Sequence, residues 1–255
     1  MKWTKATYRV MLMLGAMVAV FASISFIDKR DVGFRMDDIS VEIEHSPNSY
    51  FVDEDDVMEL VMRGERDSVL GDQFGRVNLR AIEQRIESHS FIREAEVFRD
   101  LKGHLVVRAY QRKPIARLVS PGGEHAYISE KGVILPVSSK YTARVVVLSG
   151  PYMGQLLPKE SVMTEEIDRE LFDLVNFIRA DRFWQMQIGE IHVDKKGKVV
   201  LYPQVGRQKL ELGRATDLKN KFMRLKIFFK EIMPTKGWNA YKRVNVEFED
   251  QIICE

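Results

Sequence analysis

The chain has 255 residues, room for a membrane segment and one or two modest domains. Its 39 basic and 37 acidic side chains leave a net charge of +2, which excludes the broad basic field of a nucleic-acid-binding protein. Hydrophobic residues make up 45%, so sizeable cores can form, and the single cysteine, Cys254, excludes an internal disulfide framework.

Lys2, Lys5 and Arg9 precede an uncharged run, Val10 to Ile27, that includes Leu14, Val18, Phe21 and Phe26. As a helix this run spans about 27 Å, close to the hydrocarbon thickness of roughly 30 Å. It is predicted to cross a bilayer once. The basic flank puts residues 1–9 in the cytoplasm, and Asp28, Lys29, Arg30 and Asp31 carry no net charge beyond the membrane. A cleaved signal peptide competes, with Val20-Phe21-Ala22 as a small-residue site. The apolar residues continue through Ile24, Phe26 and Ile27, which favours an uncleaved anchor. Residues 28–38 form a connector.

Ile39 to Glu44 alternates apolar and polar, the pattern of a half-buried strand. Asp53 and its neighbours cap a helix with an acidic first turn and a buried face at Val57, Leu60 and Val61. The four adjacent carboxylates Asp53, Glu54, Asp55 and Asp56 diverge on a helix start, and no glycine-bearing calcium loop follows, so they are not read as a metal site. Gly64 to Val77 is loop-like. Asn78 caps a second helix with Leu79, Ile82 and Ile86 on one face. Ile92 to Arg99 and His104 to Gln111 are strands joined by the turn Asp100–Gly103, and Pro114, which lacks a ladder donor, marks an edge or boundary. Residues 39–113 thus read strand, helix, helix, strand, strand.

That order, with Phe91, Ile92, Ala95 and Val97 leading into a hairpin and then Pro114-Ile115-Ala116, resembles a POTRA domain. More narrowly it resembles the FtsQ/DivIB family of bacterial cell-division proteins. The implied fold is α+β: one transmembrane helix, a POTRA domain over 39–113, and a mixed β-sheet domain with two helices over 114–255.

After Pro114, residues 115–119 are a strand, and Tyr127–Ser129 with Val133–Leu135 form a hairpin turning at Lys131-Gly132. Val145 to Leu148 is a buried run. Thr164 is expected to cap a helix through Ala180, with Ile167, Leu171, Leu174, Val175 and Ile178 inward. Glu190–Val193, Lys198–Tyr202 and Lys209–Leu212 read as strands. Thr216 is expected to cap a helix over 217–233, lined by Leu218, Phe222, Leu225, Phe229 and Ile232. Its basic residues Lys219, Lys221, Arg224, Lys226 and Lys230 are assigned to a solvated outer face, with a membrane surface as the competing reading.

Lys242 to Glu249 alternates for eight residues. It is similar to the last strand of the family, with Asn245 in place of a usual Asp and Glu247 in place of a common Arg. The resemblance implies that this strand lies at a sheet edge and accepts a strand from FtsB/FtsL-type coiled-coil membrane proteins by β-augmentation. The implied partner-binding residues are Tyr241, Val244, Asn245, Val246, Glu247, Phe248 and Glu249. On its own the alternation reads as an ordinary core strand with no partner, and only the resemblance favours the edge.

No H-E-x-x-H, P-loop, G-x-S-x-G or cysteine pair occurs, and the five histidines are scattered at expected turns and strand ends. The sequence therefore points to no catalytic residues, metal, cofactor or small-molecule substrate. The resemblance implies a non-enzymatic, single-pass scaffold of the inner membrane, cytoplasmic at its amino end and periplasmic in bulk. Its POTRA domain would meet other divisome proteins. Two other classes remain: a POTRA-bearing envelope or outer-membrane assembly factor, and an anchored enzyme with an unfamiliar site.

Overall fold

The computed structural model describes residues 13–18, 38–44, 50–63, 77–238 and 240–255. Of the expected membrane-spanning residues, Leu14 and Val18 lie in a helical stretch at 13–18 with exposed side chains, while Val10, Phe21, Phe26 and Ile27 lie outside the described residues. No described helix is long and apolar enough to cross a membrane. The chain divides into two compact units, residues 1–44 with 52–110 and residues 45–51 with 111–255.

The first unit orders β1 (Ile39–Glu44), α1 (Glu54–Met62), α2 (Leu79–Glu87), β2 (Ile92–Arg99) and β3 (Leu105–Gln111). The sheet order is β1-β3-β2, with β1 parallel to β3 from Ile39 opposite Leu105. The acidic start of α1 is a capping box: the Asp53 carboxylate accepts from the Asp56 N–H at 3.0 Å, and Asp56 accepts from the Asp53 N–H at 3.1 Å. At the other end, the Arg85 guanidinium of α2 donates to the Leu60 and Val61 carbonyls at 3.2 and 3.1 Å, occupying acceptors that the last turn of a helix leaves open. Val57 and Val61 of α1, Ile82 and Ile86 of α2, and Ala95, Val97, Leu105 and Val107 of the sheet are buried.

The second unit is a nine-stranded sheet. Its strands are β4 (Pro114–Val119), β5 (His125–Ser129), β6 (Ile134–Leu135), β7 (Val146–Ser149), β8 (Ile188–Val193), β9 (Val199–Pro203), β10 (Lys209–Gly213), β11 (Arg243–Asn245) and β12 (Ile253–Cys254). They lie in the order β12-β11-β10-β9-β8-β7-β4-β5-β6. The pairs β4–β7, β7–β8 and β10–β11 are parallel; the other pairs are antiparallel. Pro114 is not at the sheet edge. It opens β4 in the middle of the sheet, where the missing donor falls at a strand start and the register with β5 shifts between Pro114 and Ala116.

The helices are α3 (Met153–Leu156), α4 (Glu166–Ala180), α5 (Arg182–Gln187) and α6 (Leu218–Ile227), the last continued by a π-turn at Phe228–Ile232 and by α7 (Met233–Lys236). Leu171, Leu174, Val175 and Ile178 of α4 are buried in the same core as Leu148, Ile191, Val193, Leu201 and Leu210 of the sheet. Phe222 of α6 joins the helices: its ring centroid lies 4.8 Å from Phe177 and 4.9 Å from Trp184. The extra residue in the π-turn resets the helix register, so that adjacent Phe228 and Phe229 are both buried.

Three expectations are corrected here. Thr164 does not cap α4; Glu165 holds that position without a side-chain bond, and the Thr164 hydroxyl donates to the Ser161 carbonyl at 3.4 Å. Thr216 does not cap α6; Asp217 precedes it in a left-handed conformation at φ 49°. The basic face of α6 is not all solvated. Lys221 and Arg224 are buried, Lys221 donating to the Arg214 carbonyl at 2.8 Å and Arg224 to the Val246 carbonyl at 2.9 Å. Burial pushes the Lys221 ammonium below the usual lysine range.

Candidate partner-binding edge

The residues expected to form one long edge strand fall into a strand, a turn and a second strand. Only Arg243–Asn245 is β-structure; Phe248, Glu249 and Asp250 turn the chain, with Asp250 at φ 55°, and Ile253–Cys254 returns antiparallel to β11. β11 is therefore the second strand in, and β12 is the outermost. This corrects the expectation that residues 242–249 make the edge. The alternation of residues 242–249 continues past the strand because Phe248, in the turn, is exposed by 51% and only resembles a strand position.

Hydrogen-bond geometry fixes which way β12 presents its backbone. The Arg243 N–H donates to the Glu255 carbonyl at 3.0 Å, and the Glu255 N–H returns to the Arg243 carbonyl at 2.9 Å. That makes 243 and 255 a hydrogen-bonded pair of an antiparallel ladder. Val244 and Cys254, the next pair, are then non-hydrogen-bonded, and Asn245 and Ile253 bonded again. The N–H and C=O of Cys254 consequently face away from β11, and so does the Ile252 C=O, which opposes the inward Ile253 N–H across a planar trans peptide. No described strand lies on that side.

The opposite edge differs. Outside β6, the Ile134 N–H donates to the Glu160 carbonyl and the Val162 N–H to the Gly132 carbonyl, both at 2.9 Å, with a bridge between Val133 and Ser161. Residues 160–162 thus cover that edge, one of the standard ways to block strand addition, while β12 carries no such cover among the described residues.

Beneath β12, β11 is held from both faces. Val244 and Val246 are fully buried, and Arg224 grips the Val246 carbonyl from the helix side. Asn245 donates from Nδ2 to Glu211 of β10 at 2.8 Å, while its Oδ1 accepts the Glu247 N–H at 2.8 Å. Glu211 also faces Arg243 at 3.4 Å, and Arg243 reaches the Glu255 carboxylate at 3.4 Å. Glu247 turns back to Lys198 at 2.8 Å, and this bond raises the lysine's pKa. Tyr241 is half-buried, 6.3 Å from Phe228 between ring centroids. Of the seven expected contact residues, then, Val244, Asn245 and Val246 are buried, Tyr241 packs inward, Glu247 is tied to Lys198, and only Phe248 and Glu249 are exposed.

Among protein-family models, one described as "FtsQ/DivIB, C-terminal related" matches residues 113–255, and one described as "POTRA-like domain" matches residues 35–110. This chain belongs to the FtsQ/DivIB family. A search of curated proteins returned no match. FtsQ/DivIB proteins are cell-division scaffolds rather than enzymes, and as a family they are membrane-anchored. The α+β class expected from the sequence agrees with both matches and with the fold.

Sequence reasoning missed Ile252, Ile253, Cys254 and Glu255. The signal was present: Glu249-Asp250-Gln251 is a polar turn, and the β-branched pair that follows it suits a short strand. His192 falls in a strand near its end, as the reading of Glu190–Val193 expects. It lies inside β8, its Nδ1 3.0 Å from the Ser149 hydroxyl, which donates to Glu190 at 2.5 Å.

Gly213 ends β10 and lies against Glu247. It sits at φ 70°, and a Cβ there would fall 2.5 Å from Cγ of Glu247. Gly213→Ala is expected to cost roughly 1–3 kcal/mol through backbone strain and displacement of Glu247. Urea unfolding of the soluble part measures it; a midpoint unchanged from the parent would contradict this role.

Proposed function

We propose that this chain is a bitopic scaffold of the bacterial divisome that recruits FtsB/FtsL-type coiled-coil membrane proteins by strand addition. The run Val10–Ile27 holds it in the inner membrane with residues 1–9 in the cytoplasm and the rest on the periplasmic side. Residues 39–113 act as the POTRA domain and meet other divisome proteins; residues 114–255 act as the recruiting domain. The observation that carries the reading is the β12 edge, bare among the described residues, on a sheet whose other edge is covered. An added strand would take its backbone bonds from Ile252 and Cys254. Exposed Phe248 and Glu249 beside the turn would contact the partner's flank. Val244, Asn245 and Val246 serve by holding the strand beneath in place.

The reading is tested in cells. Depletion of the protein is expected to stop septation and leave filaments, and re-expression of the full chain to restore division. Pull-down from the same membranes is expected to recover an FtsB-like or FtsL-like protein. Normal septation after depletion would overturn the proposal. Recovery of outer-membrane assembly components in place of divisome proteins would assign the chain to envelope assembly instead.

A further inference from the structure

The POTRA-like unit has an edge of its own at β2, and that edge is not bare. β2 is the outer strand of the order β1-β3-β2, and Ala95 and Val97 sit two residues apart on it. Their N–H groups donate to side chains of α2 rather than to a strand: Ala95 to Glu87 Oε1 at 3.1 Å and Val97 to Glu83 Oε1 at 2.9 Å. The spacings agree. Four helical residues rise about 6 Å, and two strand residues span about 6.8 Å. α2 runs antiparallel to β2, so the later glutamate meets the earlier strand residue. The side chains of Ala95 and Val97 are buried, which prevents β2 from turning those donors elsewhere.

Two carboxylate oxygens therefore stand where the carbonyls of an added strand would stand. We propose that Glu83 and Glu87 form a latch that closes the β2 edge against strand addition, so that the POTRA-like unit does not pair with other chains through β2. A bond from an N–H to a carboxylate is stronger than one to a peptide carbonyl, so an incoming strand loses by the exchange. Acidic Glu94 and Glu96 are exposed along the same strand, and so is Phe98. An unlatched β2 would thus offer two bare donors beside an exposed aromatic ring.

The test uses the full chain and two double variants. E83Q/E87Q keeps an oxygen acceptor at each position and removes the charge; E83A/E87A removes the acceptors. Amide exchange at Ala95 and Val97 is followed by NMR or mass spectrometry, and self-association by sedimentation. In the parent both amides are expected to be protected, although they lie on an edge. In E83A/E87A they should exchange about tenfold faster or more, the factor lost with one charge-assisted bond, and association should rise with protein concentration. E83Q/E87Q, whose amide oxygens still accept but match a strand carbonyl in strength, should fall between the two. Rapid exchange of Ala95 and Val97 in the parent overturns the latch without reference to any variant. So does an E83A/E87A protein whose exchange and association match the parent.

Discussion

Asp168→Ala is expected to lower the unfolding free energy by about 3–5 kcal/mol, the range found when one partner of a buried ion pair is removed. Asp168 is wholly buried near the start of α4. Its Oδ1 accepts from the Tyr152 hydroxyl at 2.7 Å and its Oδ2 from the Lys159 ammonium at 2.6 Å. Alanine leaves a buried phenol without an acceptor and a largely buried lysine with only Glu165, at 2.8 Å on the solvent side. Asp168→Asn keeps an oxygen for Tyr152 but turns an N–H₂ toward the ammonium, so a loss intermediate between parent and alanine is expected. Urea unfolding of the soluble part measures both; a change below about 1 kcal/mol, ordinary for surface substitutions, would contradict the assignment.

The same cluster sets an alkaline limit. Burial and the Asp168 bond push the Tyr152 phenol well above its usual value. Burial disfavours the Lys159 charge, but the bonds to Asp168 and Glu165 outweigh it and raise its pKa. Both groups hold their protons more tightly folded than unfolded. Their stabilisation is therefore complete at neutral pH and lost as pH climbs above about 10, where the unfolded groups begin to ionise.

Cys254→Pro is expected to weaken binding of the proposed FtsB-type partner at least tenfold, about 1.4 kcal/mol, while leaving the fold intact. The Cys254 N–H faces outward, so proline removes a donor to the partner and none to β11. Proline is tolerated on an edge strand in that orientation, and its ring adds bulk where the new strand must lie. The preceding residue, Ile253, is already extended, as a residue before proline prefers. Cys254→Ala should bind like the parent, because strand addition uses the backbone. The thiol adds no chemistry at neutral pH: burial raises its pKa and keeps it protonated. Equal affinity for the proline and parent forms would remove β12 from the interface.

Periodicity carried much of the fold. Ile39–Glu44 alternates and is a strand; Asn78 and Asp53 start helices where their side chains bond the N–H three residues on. What the pattern hid depends on partners far away in the chain. Asp168 reads as a polar residue beside an apolar stripe, and only the approach of Tyr152 and Lys159 makes its burial tolerable. Lys221 and Arg224 read as solvated until α6 is laid over the carbonyls of Arg214 and Val246. The edge itself was legible only through family resemblance, and one strand off. Residues 242–249 alternate in sequence, but the chain leaves the ladder after Asn245 because Asn245 Oδ1 takes the Glu247 N–H and Asp250 turns left-handed.

The most direct measurement is residue-resolved amide exchange across β11 and β12, with and without the proposed coiled-coil partner bound. Strand addition at β12 predicts new protection at the outward amide of Cys254, while the inward amide of Glu255, already bonded to Arg243, changes little. A bound partner that leaves the Cys254 amide exchanging as in the free protein would contradict the account and move recruitment away from this edge.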